Sequence, residues 1–165
     1  MTARIFLIFM ALVSIAPTAR PANLAAFAVA VAHVESILPV EAATVVAIAF
    51  VETGGSFKPA LVSRRGACGI TQVMPKWSSF TCEQMSTPFG GVLAGVVSWE
   101  YWAGRARIYS VAEHYNGGNR PGFAATIYGR EWERARERFL VALDSLNRWP
   151  LRWQGGRYFP IPPAD

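Results

Sequence analysis

The sequence predicts one mainly helical domain that carries a loop or small hairpin segment. Four stretches have the apolar content and spacing of helices, within residues 23–38, 40–52, 88–105 and 131–148. Glycine, proline and serine dominate between residues 53 and 70, which predicts loop structure there. The chain of 165 residues, 52% of them hydrophobic, is long enough for one core and short for two.

The first 22 residues have the composition of a signal peptide or N-terminal anchor. Arg4 precedes an apolar run, residues 5–16, that is short for a membrane-spanning helix. An apolar first helix of the domain is the alternative. We favour export to the periplasm or cell envelope, with a domain over residues 23–148. Residues 149–165 form a tail rich in proline, glycine and aromatic residues, which either straps the domain or is mobile.

Several boundaries can be predicted from single residues. Asn23 is expected to cap the first helix of the domain, and Pro39 is expected to end it. One or two short helical turns are expected within residues 71–79. Two further short helices are expected at residues 107–115 and 121–128.

Charge and cysteine content limit the possible partners. The net charge of +5 favours an anionic partner, such as anionic lipid, nucleic acid or the peptide carboxylates of peptidoglycan. No nucleic-acid docking motif accompanies the charge, so nucleic acid is not expected. Cys68 and Cys82 could form a disulfide in an oxidising compartment or remain two buried thiols. They lack metal-ligand spacing, so no metal is expected.

Glu52 is the candidate catalytic acid. An apolar run, residues 45–51, leads into it, and Thr53 with two glycines breaks the chain after it. A carboxylate at the end of an apolar helix is poorly solvated, so its pKa should rise and it should hold a proton near neutral pH. That is what a general acid requires. The alternative is a solvated residue in the last turn of an ordinary core helix.

Three motifs in order carry a resemblance to a known family. They are Glu52-Thr-Gly-Gly-Ser-Phe-Lys-Pro, then Ser63 with Gly66-Ala67-x-Gly69-Ile70-x-Gln72-x-x-Pro75, then Tyr115-Asn116-Gly117-Gly118. Together they resemble the soluble lytic transglycosylases, relatives of goose-type lysozymes that cleave the glycan strands of bacterial peptidoglycan. The resemblance covers about residues 44–128 and implies a lysozyme-like α+β fold with the loop or hairpin beside the active-site groove. Thr53 replaces the serine that is usual in the family and keeps the hydroxyl.

The resemblance implies a mechanism with one carboxylic acid and no cofactor or metal. In the family a single glutamate, which Glu52 matches, protonates the glycosidic oxygen between N-acetylmuramic acid and N-acetylglucosamine. The same residue then takes a proton from the muramoyl 6-hydroxyl, which closes onto C1 as a 1,6-anhydro sugar. Ordinary glycosidases use two carboxylates, but the two aspartates, Asp144 and Asp165, lie outside the motif region. Glu100 and Glu113 are the other candidates for a second carboxylate.

The resemblance also implies supporting roles for six other residues. Tyr115 would be catalytic, with its hydroxyl orienting the acid or stabilising charge. The others would bind the glycan: Ser63, Gln72, Met74, Asn116 and Tyr128. A structural role, as turn former, loop hydrogen bonder or core edge, is the alternative for each.

Two other functions remain open. If Glu113 faces the cleft it could activate water, and the protein would be a hydrolytic lysozyme. Its helical position, two residues before Tyr115, should instead turn it to another face. The protein could also be a non-catalytic peptidoglycan-binding component of a secretion or virion apparatus. Wall turnover, secretion, conjugation and phage entry are all compatible settings, and the oligomeric state is open.

Overall fold

The computed structural model describes residues 2–106, 110–148, 151–154 and 157–160. Within them the chain is mostly helical, which confirms the predicted mainly α class. The α-helices are α1 (Thr2–Ile15), α2 (Pro21–Ile37), α3 (Ala42–Thr53), α4 (Cys82–Met85), α5 (Pro88–Ala103), α6 (Val111–Gly117) and α7 (Phe123–Arg148). In the predicted tail, strands β1 (Leu151–Gln154) and β2 (Arg157–Pro160) pair as an antiparallel hairpin. The rest of the tail lies outside the described residues.

Helices α1, α2, α3 and α7 enclose the main core. Its largest fully buried side chains include Leu12, Phe27, Val45, Phe57 and Phe139. Each such side chain contributes about 1.5–3 kcal/mol when removed from water. Helix α3 is buried along most of its length because alanine and valine make up most of its residues. The candidate acid therefore stands at the end of a well-packed core helix.

Helices α3 and α7 run antiparallel. Arg136 of α7 donates a hydrogen bond of 2.6 Å to Glu41, the N-cap residue of α3. At the other end of α3, the side chain of Glu52 interacts with Tyr128, two turns before Arg136 on α7. The two contacts fix the position of α7 along α3.

The stretch predicted as a signal peptide or anchor forms helix α1, which packs against α2 and α7. Ile8 and Leu12 of α1 are fully buried. Arg4 donates two hydrogen bonds, of 2.8 and 2.6 Å, to the carboxylate of Glu35 in α2. In the uncleaved chain α1 is thus part of the core, and export stays a prediction. Among the described residues, none of the helices combines the length and apolarity needed to cross a membrane.

The first domain helix begins earlier than predicted. Helix α2 starts at Pro21 with Arg20 as its N-cap residue, since proline is well suited to the first helical position. Asn23 is therefore inside the helix. Its side-chain amide donates instead to the carbonyl oxygen of Ser56, at 3.3 Å.

The two helices expected at residues 121–128 and 131–148 are one helix, α7. Gly129, which the prediction placed between them, does not break it. A Cβ at this position would lie 3.1 Å from Cγ of Glu113, so the glycine lets α6 approach α7 closely. The expected turns within residues 71–79 are one 3-10 helix, Pro75–Trp77.

The segment from Gly55 to Met74 is a loop, as predicted for most of it. It contains isolated β-bridges but no regular strand. Cys68 pairs across the loop with both Val62 and Val73. A disulfide bond joins Cys68 to Cys82 in α4. The disulfide ties the loop to the start of this short helix.

Candidate active site

Glu52 is the penultimate residue of α3, and the local sequence ends the helix directly after it. Gly54 adopts the left-handed conformation at the C-cap, with φ of 57°. The Thr53 hydroxyl donates to the carbonyl oxygen of Ala49, at 2.6 Å, and accepts from the amide of Phe57, at 3.0 Å. Thr53 thus fixes the helix end and the first turn of the loop.

The surroundings of Glu52 favour its neutral form. Burial raises the pKa of Glu52 to about 7 from 4.5, while a neighbouring hydroxyl, that of Tyr128, acts in the opposite direction. The side chain keeps partial contact with solvent. A carboxyl group with this pKa exchanges its proton near neutral pH and can act as acid or base.

Two stacked tyrosines flank Glu52. The rings of Tyr115 in α6 and Tyr128 in α7 lie nearly parallel, with centroids 6.4 Å apart. Burial, and then the charge of Glu52, raise the pKa of each tyrosine well above its ordinary value, so both hydroxyls keep their protons. Each can therefore serve only as a neutral donor or acceptor.

The two tyrosine hydroxyls have different partners. That of Tyr115 donates to the carbonyl oxygen of Thr71 at 2.8 Å. That of Tyr128 makes no hydrogen bond of good geometry with the described residues, although it interacts electrostatically with Glu52. Tyr128, predicted to bind the glycan, is only 6% exposed. The structure places it beside the candidate acid rather than on an open surface.

Two tryptophans support the tyrosines, and sequence reasoning did not assign them to the site. Trp99 of α5 stacks on Trp132 of α7, with centroids 4.8 Å apart, and lies 6.3 Å from Tyr115. Trp132 follows Tyr128 by four residues, so both lie on one face of α7. This spacing is visible in the sequence, but the predicted break between residues 128 and 131 places the two side chains on separate helices.

Gln72 lies in a strained turn of the loop. Its φ of 50° is in the left-handed region, which costs a residue with a side chain about 1–2 kcal/mol. Its amide nitrogen donates to the carbonyl oxygens of Leu61, at 3.1 Å, and Gly69, at 2.8 Å. Both amide hydrogens are used within the loop. In the predicted glycan-binding role, Gln72 could therefore offer a ligand only its amide oxygen, as one hydrogen-bond acceptor.

The other predicted glycan-binding residues are Ser63, Met74 and Asn116. Ser63 accepts a hydrogen bond of 3.0 Å from the amide of Ala67 and forms a turn. Met74 is partly exposed and precedes the 3-10 helix, and Asn116 is exposed in the last turn of α6. Within the described part of the chain, no hydrogen bond joins any of the three to Glu52. The structure thus brings together Glu52, Tyr115 and Tyr128.

Glu113 is fixed in a capping box at the start of α6. It accepts a hydrogen bond of 2.8 Å from the amide of Ser110, and its own amide donates to the Ser110 hydroxyl at 3.2 Å. The bond from the Ser110 amide is the main reason that the pKa of Glu113 is lowered. Ser110 sets the start of α6 at Val111, later than predicted, and residues 107–109 lie outside the described part.

The causes of the raised pKa of Glu52 are its burial and, in the opposite direction, the Tyr128 hydroxyl. No other described carboxylate contributes to its raised pKa. A groove of about 780 Å³ lies between α1 and α7, but Glu52 is not among its lining residues. No cluster of three or more histidine, cysteine or acidic side chains suited to a metal ion occurs in the described ranges.

Comparison with known proteins finds no match to this chain. No protein-family model, curated protein or solved structure matches the chain. The resemblance to lytic transglycosylases therefore rests on the motifs themselves. A functional assignment must rest on those motifs together with the geometry around Glu52.

Proposed function

We propose that the protein is a peptidoglycan lytic transglycosylase with a lysozyme-like helical fold and a single catalytic carboxylic acid, Glu52. The observation that carries the proposal is the burial of Glu52 at the end of α3 beside the stacked rings of Tyr115 and Tyr128, which raises its pKa to about 7. An acid of this strength is half protonated at neutral pH and can both give and take a proton in one reaction cycle. The order of the motifs around it supplies the substrate class, which is the glycan strand of peptidoglycan.

In the first step, Glu52 gives its proton to the glycosidic oxygen between N-acetylmuramic acid and N-acetylglucosamine. The bond from C1 to that oxygen breaks, the N-acetylglucosamine side leaves as an alcohol, and positive charge develops at C1. Glu52 is then a carboxylate. The hydroxyl of Tyr128, which lowers the pKa of Glu52, stabilises this ionised form by interacting with it.

In the second step, Glu52 acts as a base. Its carboxylate takes the proton of the muramoyl 6-hydroxyl while that oxygen bonds to C1. The product is a 1,6-anhydro sugar, and Glu52 has recovered its proton without consumption of water. One residue serves both steps because its pKa lies close to neutral pH.

The position of Glu113 favours this mechanism over hydrolysis. A hydrolytic enzyme would need a second group to activate water. The carboxylate of Glu113 accepts a hydrogen bond from the amide of Ser110 at the start of α6. It does not contribute to the pKa of Glu52. The sugar's own 6-hydroxyl is therefore the better candidate for the nucleophile.

The proposed setting is the periplasm or cell envelope. The disulfide between Cys68 and Cys82 suits an oxidising compartment. The net charge of +5 suits a polymer that carries peptide carboxylates. Wall turnover, secretion, conjugation and phage entry remain the candidate roles there.

Digestion of purified sacculi, followed by mass spectrometry of the released fragments, tests the proposal. We expect 1,6-anhydro ends, which differ from reducing ends by one water. Glu52→Gln should abolish release, because the amide cannot give a proton to the glycosidic oxygen. Glu113→Gln is the matched control and should keep activity, since glutamine can also complete a capping box.

Three results would overturn the proposal. Reducing ends would make the protein a hydrolase. Loss of activity in Glu113→Gln, without loss of folding, would make Glu113 a catalytic residue. Binding of sacculi by both wild type and Glu52→Gln, with no release of fragments by either, would indicate a non-catalytic component.

A further inference from the structure

An exposed pair, Lys76 and Trp77, follows directly after the loop that lies against the candidate site. Trp77 is 78% exposed, whereas Trp99, Trp102 and Trp132 are partly buried. The ammonium group of Lys76 lies 4.2 Å from the centroid of the Trp77 ring. The ammonium group therefore lies over one face of an indole ring that is otherwise largely open to solvent.

The backbone holds this pair in place. Trp77 ends the 3-10 helix Pro75–Trp77, and its amide donates to the carbonyl oxygen of Met74 at 3.0 Å. The amide of Ser78 donates to the carbonyl oxygen of Pro75 at 3.1 Å. The disulfide between Cys68 and Cys82 ties the two ends of the segment together. An exposed aromatic ring on a backbone fixed in this way loses little freedom when it binds a ligand.

The pair is close along the chain to Thr71, which contacts the candidate site. Thr71 accepts the hydrogen bond of Tyr115, whose ring stacks on the Tyr128 ring beside Glu52. Trp77 lies six positions after Thr71, and a chain of that length spans at most about 22 Å. A single glycan chain bound at Glu52 could therefore extend to the indole ring.

The surroundings favour a polymer with alternating apolar and charged groups over a folded protein partner. Protein-binding tryptophans usually stand in the centre of a larger apolar patch that excludes water. Here the neighbours in sequence, Lys76, Ser78 and Ser79, are polar. A pyranose ring offers a small apolar face that matches one indole, and peptidoglycan adds stem-peptide carboxylates that match the ammonium group.

We propose that Lys76 and Trp77 form a distal subsite that selects glycan strands carrying acidic stem peptides, an inference that rests on the proposed function. The open face of the Trp77 indole packs against a sugar ring. The Lys76 ammonium group pairs with a stem-peptide carboxylate. The subsite adds affinity for peptide-bearing strands over bare glycan.

Binding measurements in a Glu52→Gln background test the subsite, since that chain should not cleave its ligand. The ligands are intact sacculi and sacculi from which the stem peptides have been removed. Trp77→Ala should raise the Kd for both about tenfold. Lys76→Ala should raise the Kd only for intact sacculi, and the effect should shrink at high salt because the charge is exposed.

The chain offers a matched control pair, Tyr101 and Arg105. The Arg105 guanidinium lies 3.7 Å from the centroid of the Tyr101 ring, which is 49% exposed. Tyr101→Ala and Arg105→Ala should leave both Kd values unchanged. Circular dichroism should show that all four variants keep the helical fold.

The possible failures are distinguishable. Failure of the Glu52→Gln parent to bind either form of sacculi would overturn the proposed function, and the subsite with it. Binding by the parent that Trp77→Ala leaves unchanged would overturn the subsite alone. An equal loss in Lys76→Ala on intact and stripped sacculi would overturn the recognition of stem-peptide carboxylates.

Discussion

The hydroxyl of Tyr115 donates a hydrogen bond of 2.8 Å to the carbonyl oxygen of Thr71 and so joins helix α6 to the loop that carries Gln72. The side chain of Thr71 donates in turn to the carbonyl oxygen of Gly91 in α5, at 2.6 Å. Two consecutive hydrogen bonds thus connect α6, the loop and α5. They fix one wall of the space beside Glu52.

Loss of the Tyr115 hydroxyl should weaken this wall. Tyr115→Phe leaves the carbonyl oxygen of Thr71 without its donor, so we expect the free energy of unfolding to fall by about 1 kcal/mol. Urea denaturation at pH 7 would measure it. Tyr128→Phe is the matched control: its hydroxyl lacks a hydrogen bond of good geometry among the described residues, so the loss should be smaller. Equal losses in the two variants would contradict this account.

The part of the site that lies along one helix could be predicted from the sequence. The apolar run before Glu52 predicted a poorly solvated carboxyl group, and burial does raise its pKa to about 7. The break after Thr53 was also visible, since the glycines that follow cannot extend a helix well. Both features depend on residues close together in the chain.

The arrangement of the tyrosines could not be predicted in the same way. Tyr128 interacts with Glu52 because α7 runs antiparallel to α3, a packing between helices that are far apart in the chain. Gly129, which falls between the two helices predicted at residues 121–128 and 131–148, lies inside α7, and α6 packs closely against it. The role of Gln72 was obscured for a similar reason, because its amide donates to carbonyl oxygens of its own loop.

The raised pKa of Glu52 should make stability depend on pH. Between the unfolded value of 4.5 and the folded value of about 7, the folded protein binds more protons than the unfolded chain, so stability falls as pH rises through this window. The loss reaches about 3 kcal/mol above pH 7. Glu52→Gln removes this dependence.

Denaturation curves of wild type and Glu52→Gln at pH 4, 6 and 8 would measure the effect. We expect the variant to be more stable than wild type at pH 8 and nearly equal at pH 4. The control is Glu133→Gln on the exposed face of α7, which should change little at any of the three values. A stability gap for Glu52→Gln that does not grow with pH would mean that the carboxyl group is well solvated.

Tyr128 should set the pH range of activity. Its hydroxyl lowers the pKa of Glu52, so Tyr128→Phe should raise that pKa further. The fall of kcat/KM on the alkaline side, where the acid loses its proton, should then move to higher pH. A pH profile of fragment release from sacculi would show the shift. An unchanged profile would mean that the Tyr128 hydroxyl does not interact with Glu52 in solution.

Gly95 of α5 should tolerate no side chain. A Cβ there would lie 2.6 Å from Cγ2 of Thr71, whose hydroxyl and carbonyl are both hydrogen bonded. Gly95→Ala gains up to about 1 kcal/mol in helix propensity, but overpacking costs about 1–3 kcal/mol. We expect a net loss of stability and of fragment release. Gly122→Ala, with nothing within 4 Å of its Cβ, is the control and should be nearly neutral.

A substitution at Leu12 tests whether α1 is part of the folded core of the full-length chain. The side chain is fully buried against the core, so Leu12→Ala in the full chain should lower the free energy of unfolding by about 2–5 kcal/mol. Ser14→Ala, an exposed position on the same helix, should change it by less than about 0.5 kcal/mol. Thermal denaturation of the three full-length chains would measure both values. Equal melting temperatures for wild type and Leu12→Ala would mean that α1 does not pack in the core. That result would be expected if residues 1–22 were a signal peptide.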